Sequence, residues 1–238
     1  MHPILLITCY SGNIGKTVIS KNVFAPNMQN ARIFAVEDIN AGYGQGEATQ
    51  LSGEQTHGIL EQAIAASFDT PVIVDVGASN VSIFFETLTG YEGIQEYISR
   101  VIVPTDPSDK VQIDTISTLK YLIDELNFDS DKISLLLNKA PSRKSEDQVF
   151  GSLVKQAAEL GVFVLGTIPE NETFQTASKM GKTIHQLAAL DPKTILAESK
   201  ANVEKGGDPK AGVSLMLAAA SAKKLKKVLD DIYSRTEF

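Results

Sequence analysis

The sequence is poor in the residues that staple, ligate or anchor a chain. With one cysteine, Cys9, no intramolecular disulfide can form, and nothing suggests an oxidising compartment. Cys9 lies inside an apolar N-terminal run, where a thiol is expected as core rather than as a nucleophile. Histidine is scarce too: His57 and His185 have no cysteine or second histidine at ligand spacing, which argues against a zinc site. Basic residues number 22 against 29 acidic ones, a net charge of -7. A surface binding nucleic acid or anionic lipid over its whole extent is thereby excluded, and any such contact must be local. The opening Met1-His2-Pro3-Ile4-Leu5-Leu6-Ile7-Thr8 lacks the basic region of a signal peptide, and its apolar stretch is far short of the ~18 residues of a membrane helix. It reads as a buried strand of a protein expected to be cytoplasmic, without stable membrane insertion.

What is present is an alternation. Apolar runs at Ile4 to Thr8, Ile33 to Val36, Val72 to Val76, Val101 to Val103, Ile133 to Leu137 and Val162 to Leu165 are continuous, as in parallel strands covered on both faces. Helical candidates lie between them: Thr17 to Phe24, Gly58 to Ala66, Val81 to Thr89 with Ile94 to Ser99, Val111 to Leu126, and Gln148 to Leu160. After Ile168-Pro169 the pattern is helical only, through Phe174 to Leu187, Asp191 to Ser199 and Val213 to Tyr233. The expected fold is α/β, a doubly wound and mainly parallel sheet of about six to eight strands flanked by helices. The expected organisation is a single domain over 1–238, with a core at 1–181 and C-terminal helices at 182–238 packed on it.

The segment Ser11-Gly12-Asn13-Ile14-Gly15-Lys16-Thr17-Val18 follows the first strand and opens the first helix, the context a phosphate-binding loop requires. Glycines let successive backbone N–H groups turn toward phosphate oxygens, and the helix N-terminus adds partial positive charge. Lys16 is placed to reach the β and γ phosphates as a catalytic cation, and Thr17 to ligate Mg²⁺. Val72-Ile73-Val74-Asp75-Val76-Gly77 is an apolar strand ending in a carboxylate, so Asp75 is expected to hold Mg²⁺ through a water.

The loop resembles the deviant Walker A loop of the ParA/MinD group, Lys-Gly-Gly-x-Gly-Lys-Thr, with two substitutions. Asn13 replaces the second glycine, and Asn is among the few residues that tolerate positive φ. Ser11 replaces the signature lysine, which in that group reaches across a nucleotide-sandwich dimer to the partner's phosphates. The resemblance thus implies an ATP-dependent homodimer, while Ser11 cannot supply the amine. After the second strand, Asp38-Ile39-Asn40 has the spacing of the group's Asp-x-Asp, and Glu37 is an alternative for the first acid. Asp38 is a further candidate near Mg²⁺. Asn40 then stands at the water-positioning place, where an amide can orient water but cannot take its proton, so slow hydrolysis is expected. Asn138 falls where the group hydrogen-bonds the base, and Pro169 lies in the match to its later Ile-Pro-Glu loop, with Ala177 and Gly181 at the spacing that follows.

Tyr10 to Thr17, Ala25-Pro26, Val36 to Asn40 with Gly44-Gln45-Gly46, and Asp75 to Asn80 together resemble the StbB-type plasmid stability proteins, ParA-like ATPases encoded beside a small DNA-binding StbA. That likeness implies a Mg-ATP switch in plasmid stability, partition and conjugative transfer. It also implies an StbA-like partner, contact with plasmid DNA through that partner, and a cytoplasmic, nucleoid-associated place. Two other readings stand beside it: a non-hydrolysing nucleotide-binding adaptor, and a P-loop biosynthetic ligase, for which Ile39 to Thr56 offers no basic anchor. Lys223, Lys224, Lys226 and Lys227 form a basic run in the last helix. With Asp230 and Asp231 following and no Trp on the apolar face, they read as a solvated face. Tyr10 and Tyr43 read as packing elements.

Overall fold

In a computed structural model the chain is described except for residues 38–41, 45, 53–55 and 205–207. It divides into two compact units, Met1–Glu170 with Ile232–Phe238, and Asn171–Asp231.

The first unit is built on a seven-stranded sheet in which every pairing is parallel. The strands are β1 (Ile4–Ile7), β2 (Arg32–Val36), β3 (Thr49–Leu51), β4 (Val72–Val76), β5 (Arg100–Thr105), β6 (Ile133–Ala140) and β7 (Phe163–Pro169), in the order β3-β2-β4-β1-β5-β6-β7. Every residue of β1 and β4 is buried, which explains their unbroken apolar sequences: helices cover both faces and no position looks onto water. β3 is the strand the apolar pattern does not reveal, because Thr49 and Gln50 are exposed at the sheet edge. From β1 the chain builds one side of the sheet through β4, then crosses to build the other from β5. The strand order therefore reverses beside β1, and a crevice at the carboxyl ends of the strands follows. Ile7 pairs with Asp75, so the loop after β1 and the carboxylate ending β4 emerge side by side.

The helices of this unit are α1 (Lys16–Ile19), continued by a wider π turn over Ser20–Phe24, then α2 (Thr56–Ala66), α3 (Val81–Thr89), α4 (Asp109–Lys120) and α5 (Glu146–Glu159). Phe84, Phe85 and Phe150 are fully buried in the core with Leu6 and Ile14. Each such side chain contributes about 1.5–3 kcal/mol by leaving water.

The second unit is helical: α6 (Thr173–Lys179), α7 (Ile184–Ala188), α8 (Pro192–Val203) and α9 (Pro209–Ser234), whose last residues belong to the first unit. The single helix read over Phe174 to Leu187 is two. Gly181 takes φ +61, which ends α6, and Thr183 with Gln186 forms a reciprocal capping box that starts α7. Asp191 caps α8, with Pro192 in its first turn. On α9 Ala219, Ala222, Leu225 and Leu229 are buried while Lys223, Lys224 and Lys227 are exposed. Among the described residues no helix is long and apolar enough to cross a membrane.

Candidate nucleotide site

Gly12, Asn13, Gly15, Lys16, Thr17, Val18 and Asp75 line one cleft of about 480 Å³, together with Glu37, Gly42, Gly77, Ala78 and Ser79. Its floor is the loop after β1. Asn13 sits at φ +57 and Gly15 at φ +91, so two residues of the loop take the left-handed region. A Cβ at Gly15 would lie 2.5 Å from Asn138 Nδ2, so glycine is required there on both counts. The Asn138 amide donates to the Ile14 carbonyl at 2.7 Å. One amide hydrogen thus braces the loop, and a second remains on the same nitrogen.

Neighbouring elements hold the loop from behind. At β6, Lys139 Nζ donates to the Asn13 carbonyl at 2.5 Å and to Asp106 Oδ2 at 3.2 Å. From α4, Thr118 Oγ1 accepts from the Tyr10 amide at 3.2 Å, and Asp114 Oδ2 accepts from Ser11 Oγ at 2.5 Å. Ser11 is buried in this contact and points at its own chain's α4. Tyr10 packs edge-on against Phe85 and Tyr121. Ile14 is wholly buried, and Pro169 closes β7 opposite Ala140. Ser11, Ile14, Asn138 and Pro169 accordingly do not line the cleft, whereas the other described site residues read from the sequence do.

Lys16 is 7 % exposed and donates to the carbonyls of Ser11 at 2.8 Å and Cys9 at 3.3 Å. Burial lowers its amine pKa below the ordinary lysine value, against the opposing pull of Cys9, Asp75 and Glu37. Thr17 Oγ1 donates to Asp75 Oδ2 at 2.9 Å, which joins the loop to the end of β4. The same oxygen accepts from the Tyr43 hydroxyl at 2.8 Å. Burial raises the Asp75 pKa above the ordinary carboxylate range, although the Tyr43 and Thr17 hydrogen bonds and the Lys16 charge pull it down. The Tyr43 phenol is pushed well up by burial and by the neighbouring carboxylate.

Asp38 and Asn40 lie outside the described residues. Glu37 does line the cleft, and a Cβ at Gly77 would come within 3.0 Å of its side chain, so glycine permits this approach. Lys139, Asp114 and Thr118 were not legible as part of the site. Only Lys139 carries a local signal, since it follows Asn138 directly at a strand end.

The donor set fits a magnesium nucleotide: a buried amine folded onto carbonyls, a loop bent by two left-handed residues, and a hydroxyl paired with a buried carboxylate. No protein-family model matches this sequence, and no curated protein matches it. Solved structures do. The ATP complex of a Cyanothece McdA variant is 13 % identical, with a TM-score of 0.55 over 95 % of this chain and 97 % of that one. The Mg-ADP complex of the septum site-determining protein MinD from Pyrococcus horikoshii is 14 % identical, with a TM-score of 0.50 over 96 % and 99 %. The Pyrococcus furiosus cell division ATPase MinD is 11 % identical, with a TM-score of 0.51 over 94 % and 100 %. The fold is that of the ParA/MinD ATPases.

Proposed function

We propose that this chain is a Mg-ATP-binding switch of the ParA/MinD kind that serves plasmid stability, partition and conjugative transfer, as the StbB-type proteins do. The observation that carries the reading is the hydrogen bond from Thr17 to Asp75, which brings the two expected Mg²⁺-holding side chains together beside Lys16 in one cleft. In this reading Lys16 and the backbone of the loop hold the β and γ phosphates, and Thr17 and Asp75 hold Mg²⁺, Asp75 through water. Bound Mg²⁺ would offset phosphate charge and polarise the bond to the γ phosphate. Nucleotide occupancy then sets the affinity for a partner, an StbA-like DNA-binding protein through which plasmid DNA is reached in the cytoplasm.

The reading takes turnover to be slow, with Asn40 rather than a carboxylate at the water-positioning place. The second reading, a non-hydrolysing adaptor acting through protein contacts, draws on Ser11. Its hydroxyl is committed to Asp114, so that position supplies no cation to a second copy.

Phosphate release and light scattering with Mg-ATP, comparing wild type with Lys16→Ala, decide between the two. Turnover and self-association lost in the variant support the switch. Lys16-dependent nucleotide binding with neither effect supports the adaptor, and no nucleotide binding by the wild type overturns both.

A further inference from the structure

Asp75 Oδ2 accepts two hydroxyl donors, Thr17 at 2.9 Å and Tyr43 at 2.8 Å. A carboxylate oxygen has room for about two such bonds, so this oxygen is saturated by the protein itself. Tyr43 is 8 % exposed, hence the phenol is seated rather than grazing the cleft. A second fastening lies beside it on the helical run that starts at the phosphate loop. Lys21 Nζ pairs with Glu47 Oε2 at 2.6 Å, donates to the Gly42 carbonyl at 3.3 Å, and stands 5.7 Å from the centre of the Tyr43 ring. Glu47 Oε2 also accepts from the Gly44 amide at 2.7 Å. Gly42, Tyr43, Gly44 and Glu47 are thus tied down at two points, one of them the carboxylate expected to hold the metal.

We propose that Tyr43 is a positioning residue that competes with hydrated Mg²⁺ for Asp75, so that loading of Mg-nucleotide releases the phenol, with Lys21 and Glu47 setting how firmly it is held. The proposal rests on the Mg-nucleotide reading of the cleft. A water on the metal that donates to Asp75 Oδ2 must displace one of the two hydroxyls. Thr17 is itself an expected metal ligand, so the phenol is the group with no further role there. The Mg²⁺ requirement of the site is then set by the strength of a tyrosine hydrogen bond and by a salt bridge on the rim of the cleft. Seated phenol and seated metal are alternatives, which gives the segment carrying Tyr43 two positions coupled to occupancy.

The test is equilibrium binding of a fluorescent ATP analogue to the full chain, titrated with Mg²⁺, for wild type, Tyr43→Phe and Glu47→Gln. The phenylalanine keeps the ring and removes the competing hydroxyl, so half-saturation should require about ten-fold less Mg²⁺, the scale of one hydrogen bond to a charged group. Binding in EDTA should change less than about two-fold, since the phenol touches the carboxylate and not the phosphate loop. Glu47→Gln should move the requirement the same way by about two- to three-fold, and it reports even if the phenylalanine variant folds poorly. Hydrogen exchange gives a readout independent of affinity: the Gly44 amide should be protected without ligand and lose protection with Mg²⁺ and a non-hydrolysable ATP analogue. An unchanged or raised Mg²⁺ requirement in both variants, or protection of Gly44 that ligand leaves intact, overturns the role of Tyr43 while leaving the nucleotide reading standing. A wild type that binds no nucleotide with or without Mg²⁺ overturns both.

Discussion

Asp75 in the sheet unit is buried and Asp230 in the helical unit is partly exposed, and their surroundings treat the two charges oppositely. Asp75 is 4 % exposed, and burial outweighs its hydrogen bonds, so its charge is destabilised where it stands. At Asp230 burial also pushes the pKa up, but hydrogen bonds from Lys226 and His185, the latter at 2.8 Å, outweigh it and lower the value. Net charge repeats the contrast. Asn171–Asp231 holds ten lysines against seven acidic residues, a balance of +3, which leaves -10 on the rest of a chain whose total is -7. The unit expected to hold a polyanion is therefore the acidic one. Its attraction for phosphate must come from a few groups aimed into one cleft, chiefly Lys16 and the backbone of the loop, and not from a general field. A buried carboxylate kept charged at a cost is a candidate functional group, whereas one paired with Lys226 and His185 is a structural clasp.

The hardest blow to the first unit is Gly15→Ala. The new Cβ meets Asn138 Nδ2 at 2.5 Å, and alanine must hold φ +91. Strain and displacement together should cost about 2–4 kcal/mol, so nucleotide binding measured by calorimetry should be lost. Adding Asn138→Ala removes the overlap but not the strain, and should recover part of the stability and little of the binding. Hydrogen exchange in α7 and α8 should stay as in wild type, which would separate damage to the phosphate loop from general unfolding.

How far the sequence reveals each unit follows from the length scale of its signals. The parallel strands are legible because burial on both faces writes an unbroken apolar run, and the phosphate loop because its glycines, lysine and threonine are contiguous. β3 is silent because an exposed edge strand has no apolar face to declare, and the break at Gly181 is hidden inside a helical pattern that continues on either side. The braces are silent for another reason. Asp114, Thr118 and Lys139 reach the loop from about 100 or more residues away, and an aspartate in a helix or a lysine after a strand has many duller uses. Tyr43 could be placed near the loop, but reading it as a packing aromatic missed its hydroxyl, since only the fold brings that group to Asp75.

Asp75→Asn tests whether the buried charge is a cost. An asparagine oxygen still accepts from Tyr43 or Thr17 without carrying a charge, so the nucleotide-free protein should gain about 1–2 kcal/mol in denaturant unfolding while losing its response to Mg²⁺. Lys16 does not reverse the sign, because its attraction is already included in the upward shift. The pH dependence follows. The folded carboxyl holds its proton to higher pH than the unfolded one, so wild type loses stability as pH rises through the ordinary carboxylate range, and the loss is complete above the folded value. The advantage of asparagine should be small near the ordinary carboxylate value and full only above the raised folded Asp75 value. An asparagine variant less stable than wild type at pH 7 would remove the argument that Asp75 is held at a cost.

Asp230→Asn is the mirror experiment, with the smallest effect. The side chain is 35 % exposed and solvent screens its pairs, so the loss at neutral pH should be at most about 1 kcal/mol. Because the folded pKa lies below the unfolded one, the stabilisation is complete above the unfolded value and is lost as pH falls through the folded value. Wild type and variant should therefore converge once pH falls below the folded Asp230 value, the reverse of the Asp75 pair, whose separation grows from about pH 4 upward. Salt should sharpen the difference between the sites: 0.5 M NaCl should erase most of the Asp230 effect, which depends on a carboxylate and a Lys226 amine that are both partly exposed, and leave the Asp75 effect nearly intact, since burial rather than a screened pair causes it. Equal salt sensitivity at the two sites would mean that both are ordinary surface pairs, and the distinction between a metal carboxylate and a clasp would fall.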